Sequence, residues 1–249
     1  MERLDFDTSL FGFPCYRQRI ASAAEAVAIS PPEDGGVVYC FADELNSEMP
    51  IICEVLSGAG AIRQPTRVDL RCPPLATLPY SPAGGLSVKE LREPTEDSVR
   101  LAAESGHLSR FMRDPVFRPR CEALYRRWFE NGFLSDGRVY GCHIGDVLAG
   151  ILVMSSSGGD ATVEILSVDS RFRRHGVARM LLGRAAADAA VSDAEELVVA
   201  TQGDNVAALS CYRSFGFAER RRTAIWHLHS RMGAECREKE TEASTEMRI

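Results

Sequence analysis

Long apolar runs are missing from this chain. Nowhere in its 249 residues do ~18 apolar residues stand together, so no membrane-spanning helix is expected. The opening MERLDFDTSLFGF has no basic segment followed by an apolar one, so no secretory leader is read there and a cytoplasmic protein is expected. Positive charge is not in excess. The formal charge is -6, which argues against a nucleic-acid partner. No two of the eight cysteines form a C-x-x-C pair, and no Cys/His group has zinc-like spacing, so no metal is expected. Cys40, Cys142 and Cys211 lie in apolar stretches and read as buried free thiols of a reducing compartment. Two phosphate-binding loops are absent as well. Without G-x-x-x-x-G-K-[ST] or G-x-G-x-x-G, nucleoside triphosphate hydrolysis and a dinucleotide site are disfavoured.

What is present is an ordinary globular balance, 45% apolar and 26% charged, in a strand–helix alternation that predicts an α/β (α+β) protein. Residues 1–72 read as a small α/β unit. Its strands are expected at Cys15–Ile20, Gly36–Ala42 and Thr66–Cys72, and its helices at Ala21–Ser30 and Glu44–Ser57, the second limited or kinked by Pro50. Residues 73–85, rich in Pro and Gly, read as a linker. The series then restarts over residues 86–230. Strands are expected at Leu86–Glu93, Arg138–Ile144, Val147–Ser155, Ala161–Val168, Leu197–Thr201 and Thr223–His229. Helices are expected from Thr95 to Ser105, Phe117 to Phe133, Gly176 to Ala190 and Asn205 to Phe215. Residues 231–249 are polar and read as a disordered tail.

The stretch SVDSRFRRHGVARMLLGR carries the most chemistry. A strand ends, Arg171, Arg173 and Arg174 concentrate positive charge, and small residues at Gly176 and Ala178 open a long helix. The free N–H groups and dipole of such a helix start favour an anion, and a diphosphate fits. About thirty residues on, Asn205 and Tyr212 stand seven apart on one helix, which returns them to nearly the same face. One extended ligand can then meet an amide and a phenol at two points.

Arg173-x-x-Gly176-x-Ala178 fits the R/Q-x-x-G-x-G/A pattern of the GNAT superfamily of acyl-CoA N-acyltransferases, and its spacing to Asn205 and Tyr212 resembles that superfamily too. The resemblance implies a GNAT fold at residues 86–230, with residues 1–72 as a partial GNAT-like unit, and acetyl-CoA as co-substrate. It implies that loop amides around Arg173, Arg174, His175, Gly176, Val177 and Ala178 hold the coenzyme pyrophosphate. Asn205 and Ala208 would meet the pantetheine arm, and Tyr212 would protonate the departing thiolate. It also implies that strands part near Leu166 and Val168, whose amides are candidate donors to the carbonyl oxygen. The base is open. Glu164 is a candidate because 164, 166 and 168 share one side of a regular strand; His143, His175 and a water chain are alternatives.

For the acceptor, LDFDTSLFGF, SRFMRDPVF, YRRWFEN and the C-terminal segment resemble the dTDP-fucosamine acetyltransferase family, which acetylates the amine of a dTDP-4-amino-4,6-dideoxyhexose. That family has a small residue where Glu164 stands, so the base is not carried over. The resemblance implies a nucleotide-linked amino sugar as substrate and a homodimer. Arg110 and Arg113 can pair with a nucleotide diphosphate and Phe111 can stack on a base or sugar. Acetylation of a protein or small amine on the same fold, and an inert acyl-CoA-binding regulatory module, remain as alternatives.

Overall fold

The computed structural model describes residues 1–74, 85–134 and 137–230. The first elements are β1 (Glu2–Arg3), α1 (Asp5–Phe11), β2 (Cys15–Arg19), α2 (Ala23–Val27), β3 (Val37–Asp43), α3 (Met49–Gly58) and β4 (Ile62–Cys72). There follow β5 (Leu86–Glu90), α4 (Glu96–Ser105), α5 (Arg110–Arg113), α6 (Cys121–Leu134), β6 (Arg138–Ile144), β7 (Val147–Ser157) and β8 (Asp160–Val168). The last are α7 (Val177–Val191), β9 (Leu197–Gln202), α8 (Val206–Phe215) and β10 (Ala218–His229). The expected linker lies largely, and the expected tail wholly, outside the described residues.

The chain forms two compact units. Unit 1 gathers Met1–Arg67, Arg113–Arg120 and the chain from Arg222 onward; unit 2 gathers Val68–Met112 and Cys121–Arg221. In unit 1, β2 runs parallel to β3, and β10 runs antiparallel to β3 from Thr223↔Asp43 to His229↔Val37. Val38, Cys40, Ile52, Leu56 and Trp226 form its apolar core. The Ser22 side chain accepts the Glu25 amide and so caps α2. Of the two effects expected of Pro50 on a helix from Glu44, limiting and kinking, the first is seen. The helix starts at Met49 and Pro50 occupies its first turn, where a missing N–H leaves no bond unmade. Helix α1, not expected from the sequence, ends at Gly12 in the left-handed conformation with φ 77°.

Unit 2 holds the strand order β9-β8-β7-β6-β5, antiparallel except for the parallel β8–β9 pair. One apolar cluster joins α7 and α8 to the sheet through Leu181, Ala185, Tyr212, Phe215, Leu152 and Val163. A second joins α4 and α6 to it through Leu101, Phe129, Ile151 and Ile165. Thr95 and Ser98 form a reciprocal capping box at the start of α4. Helix α7 lies close on β7. A β-carbon on Gly150 would stand 2.7 Å from Val177 Cγ1 and 2.8 Å from the Ser167 carbonyl oxygen. Asp188 on α7 accepts the Tyr140 hydroxyl and pairs with Arg184 at 3.0 Å and Arg138 at 3.2 Å.

The seven cysteines among the described residues are all free. Burial pushes the thiols of Cys40 and Cys72 up to about 12 and that of Cys142 up to about 11. Among the described residues no helix is long and apolar enough to cross a membrane.

Candidate active site

Two irregularities in β8 shape the centre of unit 2. Its pairing with β9 covers Ala161↔Leu197, Thr162↔Val198 and Val163↔Val199 and goes no further. On its other edge the register with β7 jumps from Met154↔Val163 to Val153↔Ile165, so Glu164 is the extra residue of a bulge. The bulge reverses the strand's faces. Ala161 and Val163 share the α7/α8 cluster with Leu166 and Val168, while Ile165 joins the α4/α6 cluster. The expectation that 164, 166 and 168 share one side therefore fails, because the alternation behind it is interrupted at 164. The Asp169 amide donates to Ala149 of β7 at 3.0 Å. Amide direction alternates along a strand, so the Leu166 and Val168 amides turn to the opposite edge, where β9 has parted.

The loop that follows is built to present amides. Arg174 and Gly176 both have positive φ, 68° and 86°, and Gly176 is the N-cap of α7. No side chain caps this helix, and its first bond is Met180 N–H to the Gly176 carbonyl at 3.0 Å. The amides of Val177, Ala178 and Arg179 precede that bond and point out of the helix start. This is the geometry of an anion site. Arg173 and Arg174 are exposed beside it; Arg173 Nε lies 3.4 Å from the Val168 carbonyl and His175 Nδ1 lies 2.8 Å from the Arg173 carbonyl. Arg171 is spent elsewhere. It pairs with Asp169 at 2.8 Å, as does Arg100 at 3.1 Å, and hydrogen bonds from Arg171 chiefly hold the Asp169 carboxyl below the usual range.

Asn205 is the N-cap of α8. Its Oδ1 accepts the Ala208 amide at 3.2 Å and its Nδ2 donates to Thr201 Oγ1 at 3.2 Å. The amide keeps one further donor and lone pair for a ligand at this helix mouth. Tyr212 lies two turns on, 6% exposed, with its ring 5.6 Å from that of Phe217. Burial, with Cys211 adding, pushes its phenol well above the usual value.

Glu164 opens on the α6 side. With Trp128, Asn131, Val153 and Ser155 it lines a hollow of about 220 Å³, and its carboxylate accepts the Ser155 hydroxyl at 2.7 Å. The acceptor segment expected around Arg110, Phe111 and Arg113 is a short helix, α5, not a loop. Phe111 is 3% exposed and meets Trp128 edge-on at 6.4 Å, so its ring serves packing and presents no stacking face. The Arg110 guanidinium covers that ring at 4.4 Å, and Arg113 is exposed but belongs to unit 1. His143, the alternative base, lies on β6 with a buried Nδ1.

Sequence reasoning missed one cluster, in unit 1. Nδ1 of His227 and Nε2 of His229 stand 2.6 Å and 2.8 Å from the same Oδ2 of Asp114. Burial raises the Asp114 carboxyl, but hydrogen bonds from the two imidazoles outweigh it and hold the group below the usual range. The His-x-His pair in WHLH was the readable half; Asp114 is 113 residues from His227 and shares no motif with it.

The model of the acetyltransferase (GNAT) family matches residues 105–217. Many solved structures are similar, these three among them. A functionally unknown conserved protein from Staphylococcus epidermidis superposes with a TM-score of 0.57 at 9% identity, over 77% of this chain and 71% of that one. A tandem GNAT protein from the clavulanic acid biosynthesis pathway gives 0.52 at 18% identity, over 78% and 64%. A GCN5-related N-acetyltransferase from Kribbella flavida gives 0.50 at 16% identity, over 77% and 68%. The chain thus spans roughly two thirds of the length of these relatives, and at such identities the likeness is one of fold. No curated protein matches it in sequence.

Proposed function

We propose that this chain, which has the GNAT fold and carries an acetyltransferase domain of that family over residues 105–217, moves acetyl from acetyl-CoA to the amine of a nucleotide-linked amino sugar. Acetyl-CoA-dependent N-acetylation is the general activity of the family. The observation that carries the reading is the parting of β8 from β9 after Val163↔Val199, with an amide-presenting loop at its end and Tyr212 on the next helix.

In this reading the amides of Val177 and Ala178, with Arg173 and Arg174, hold the coenzyme pyrophosphate. Asn205 and the mouth of α8 hold the pantetheine amides. The Leu166 and Val168 amides stabilise the negative charge that develops on the thioester carbonyl oxygen as the amine adds. The carbon–sulfur bond then breaks, and Tyr212, kept protonated by burial, gives its proton to the departing sulfur. Glu164 takes the proton lost by the amine, directly or through water. No metal enters this scheme.

The hollow beside Glu164 supports a sugar acceptor. Trp128 offers an aromatic wall, and Asn131, Ser155 and Glu164 offer hydrogen bonds for hydroxyl and amine groups. At about 220 Å³ it is smaller than the ~300–1,000 Å³ that encloses a drug-sized ligand, so it takes the amine-bearing ring and leaves the nucleotide outside. The dTDP-4-amino-4,6-dideoxyhexose class is the substrate proposed, and use of acetyl-CoA implies a cytoplasmic setting. A hollow lined by both a carboxylate and an indole also suits a small cationic amine, which is the second reading. Thiol release from acetyl-CoA against a panel of dTDP-amino-dideoxyhexoses, with polyamines and a lysine peptide beside them, separates the readings. Turnover of a sugar nucleotide is expected. Turnover of polyamine or peptide alone removes the sugar assignment, and acetyl-CoA binding without any turnover points to an inert module.

A further inference from the structure

We infer that Asp114, His227 and His229 of unit 1 bind one divalent transition ion of the zinc class. Alternation along β10 puts the two histidines on one face. Their nitrogens and the Asp114 carboxylate lie within 4.8 Å of one another. The other carboxylate oxygen, Oδ1, accepts the Val116 amide at 3.0 Å and fixes the plane in which Oδ2 points. The Asp114 and His227 side chains are wholly buried and that of His229 is 10% exposed, which marks the side of entry. Phe117 stands 5.2 Å from His227 and 5.9 Å from His229, and Tyr39 stands 4.9 Å from His227, ring to ring. These rings keep bulk water from the donors.

The donor set decides the class of ion. Two imidazole nitrogens and one carboxylate oxygen are borderline ligands, suited to zinc and its first-row neighbours. Calcium and magnesium require mostly oxygen donors, and copper(I) prefers sulfur. Bonds of ~2.0–2.2 Å in tetrahedral geometry hold donors ~3.3 Å apart, so the present 2.6 Å and 2.8 Å spacings open by less than ~1 Å to admit the ion. Three protein ligands leave a fourth position for water. The ion would tie residues 113–120 to β10 inside unit 1, and binding would add to folding stability.

The test uses the full chain, purified without chelator. Elemental analysis is expected to find one zinc per chain. After chelator stripping, Co2+ is expected to restore the ion with the visible bands of a four-coordinate imidazole-ligated site and to raise the melting temperature. Asp114→Asn and His229→Gln are expected to weaken Co2+ binding at least ~10-fold, while His107→Gln, at an exposed position of unit 2, leaves it unchanged. A metal-free chain that takes up no Co2+ overturns the inference and leaves a hydrogen-bonded triad. So does Co2+ binding that survives both site variants. If the variants do not fold, the wild-type Co2+ spectrum and melting shift decide alone: both present uphold the site, and absence of either removes it.

Discussion

Tyr212 and Asp169 show how single groups of unit 2 respond to their surroundings. Tyr212 sits in an apolar cluster that keeps its phenol protonated throughout the neutral range. Tyr212→Phe removes the proton and little else, so kcat is expected to fall ~10²-fold or more, with KM for acetyl-CoA little changed; steady-state kinetics reads both. Unchanged kcat removes Tyr212 as the acid. Asp169 is a carboxyl held below its usual range by Arg171, against burial, with Arg100 assisting. A depressed carboxyl contributes stability above its unfolded pKa of ~3.9 and loses it as pH falls through the folded value. Asp169→Asn is therefore expected to lower the melting temperature at pH ~7 and to approach the wild type as pH falls below ~4. A penalty that stays constant with acid contradicts the ion-pair account. Asn205 and Tyr212 were readable in the sequence because both the spacing and the helix are local. The side on which Glu164 lies was not, since it follows from a register jump against Val153 and Met154 on another strand. Nor was the burial of Phe111, which depends on Trp128 of α6.

At the scale of elements, most strands and helices of unit 2 were legible because their periodicity and caps are local. Thr95 marked α4 and Gly176 marked the start of α7. Elements that escaped lacked such marks: α1 has no side-chain cap, and α5 is a single turn. Two glycines test the placement of α7. Gly176→Ala forces a β-carbon at φ 86°, costing ~1–2 kcal/mol, and moves the amides proposed to hold the pyrophosphate. KM for acetyl-CoA is expected to rise ~10-fold, more than the loss of stability alone would produce; a KM equal to wild type removes this loop from the coenzyme site. Gly150→Ala presses on Val177 and on the Ser167 carbonyl, and is expected to destabilise unit 2 by ~1–3 kcal/mol in denaturant titration.

For the whole molecule, composition and alternation foretold an α/β protein but not which stretches pack together. Unit 1 takes Arg113–Arg120 and most of β10 from stretches far along the chain from its first 67 residues, and no local pattern reports that. The two tryptophans divide between the units, Trp226 buried in unit 1 and Trp128 at 36% exposure in unit 2. Strands β4 and β10 each give residues to both units. Trp226 emission in a Trp128→Phe chain is therefore expected to trace the same denaturant midpoint as far-UV circular dichroism; separate midpoints mean the units unfold independently. The free thiols bear on how activity is measured. Coenzyme release is read with colourimetric thiol reagents, which also react with protein sulfur as thiolate. Because five of the seven described cysteines are buried and three have thiols pushed up to about 11 or 12, those five add little to the blank while the protein is folded. A rise in that blank during an assay is then a built-in alarm that the protein is unfolding in the cuvette.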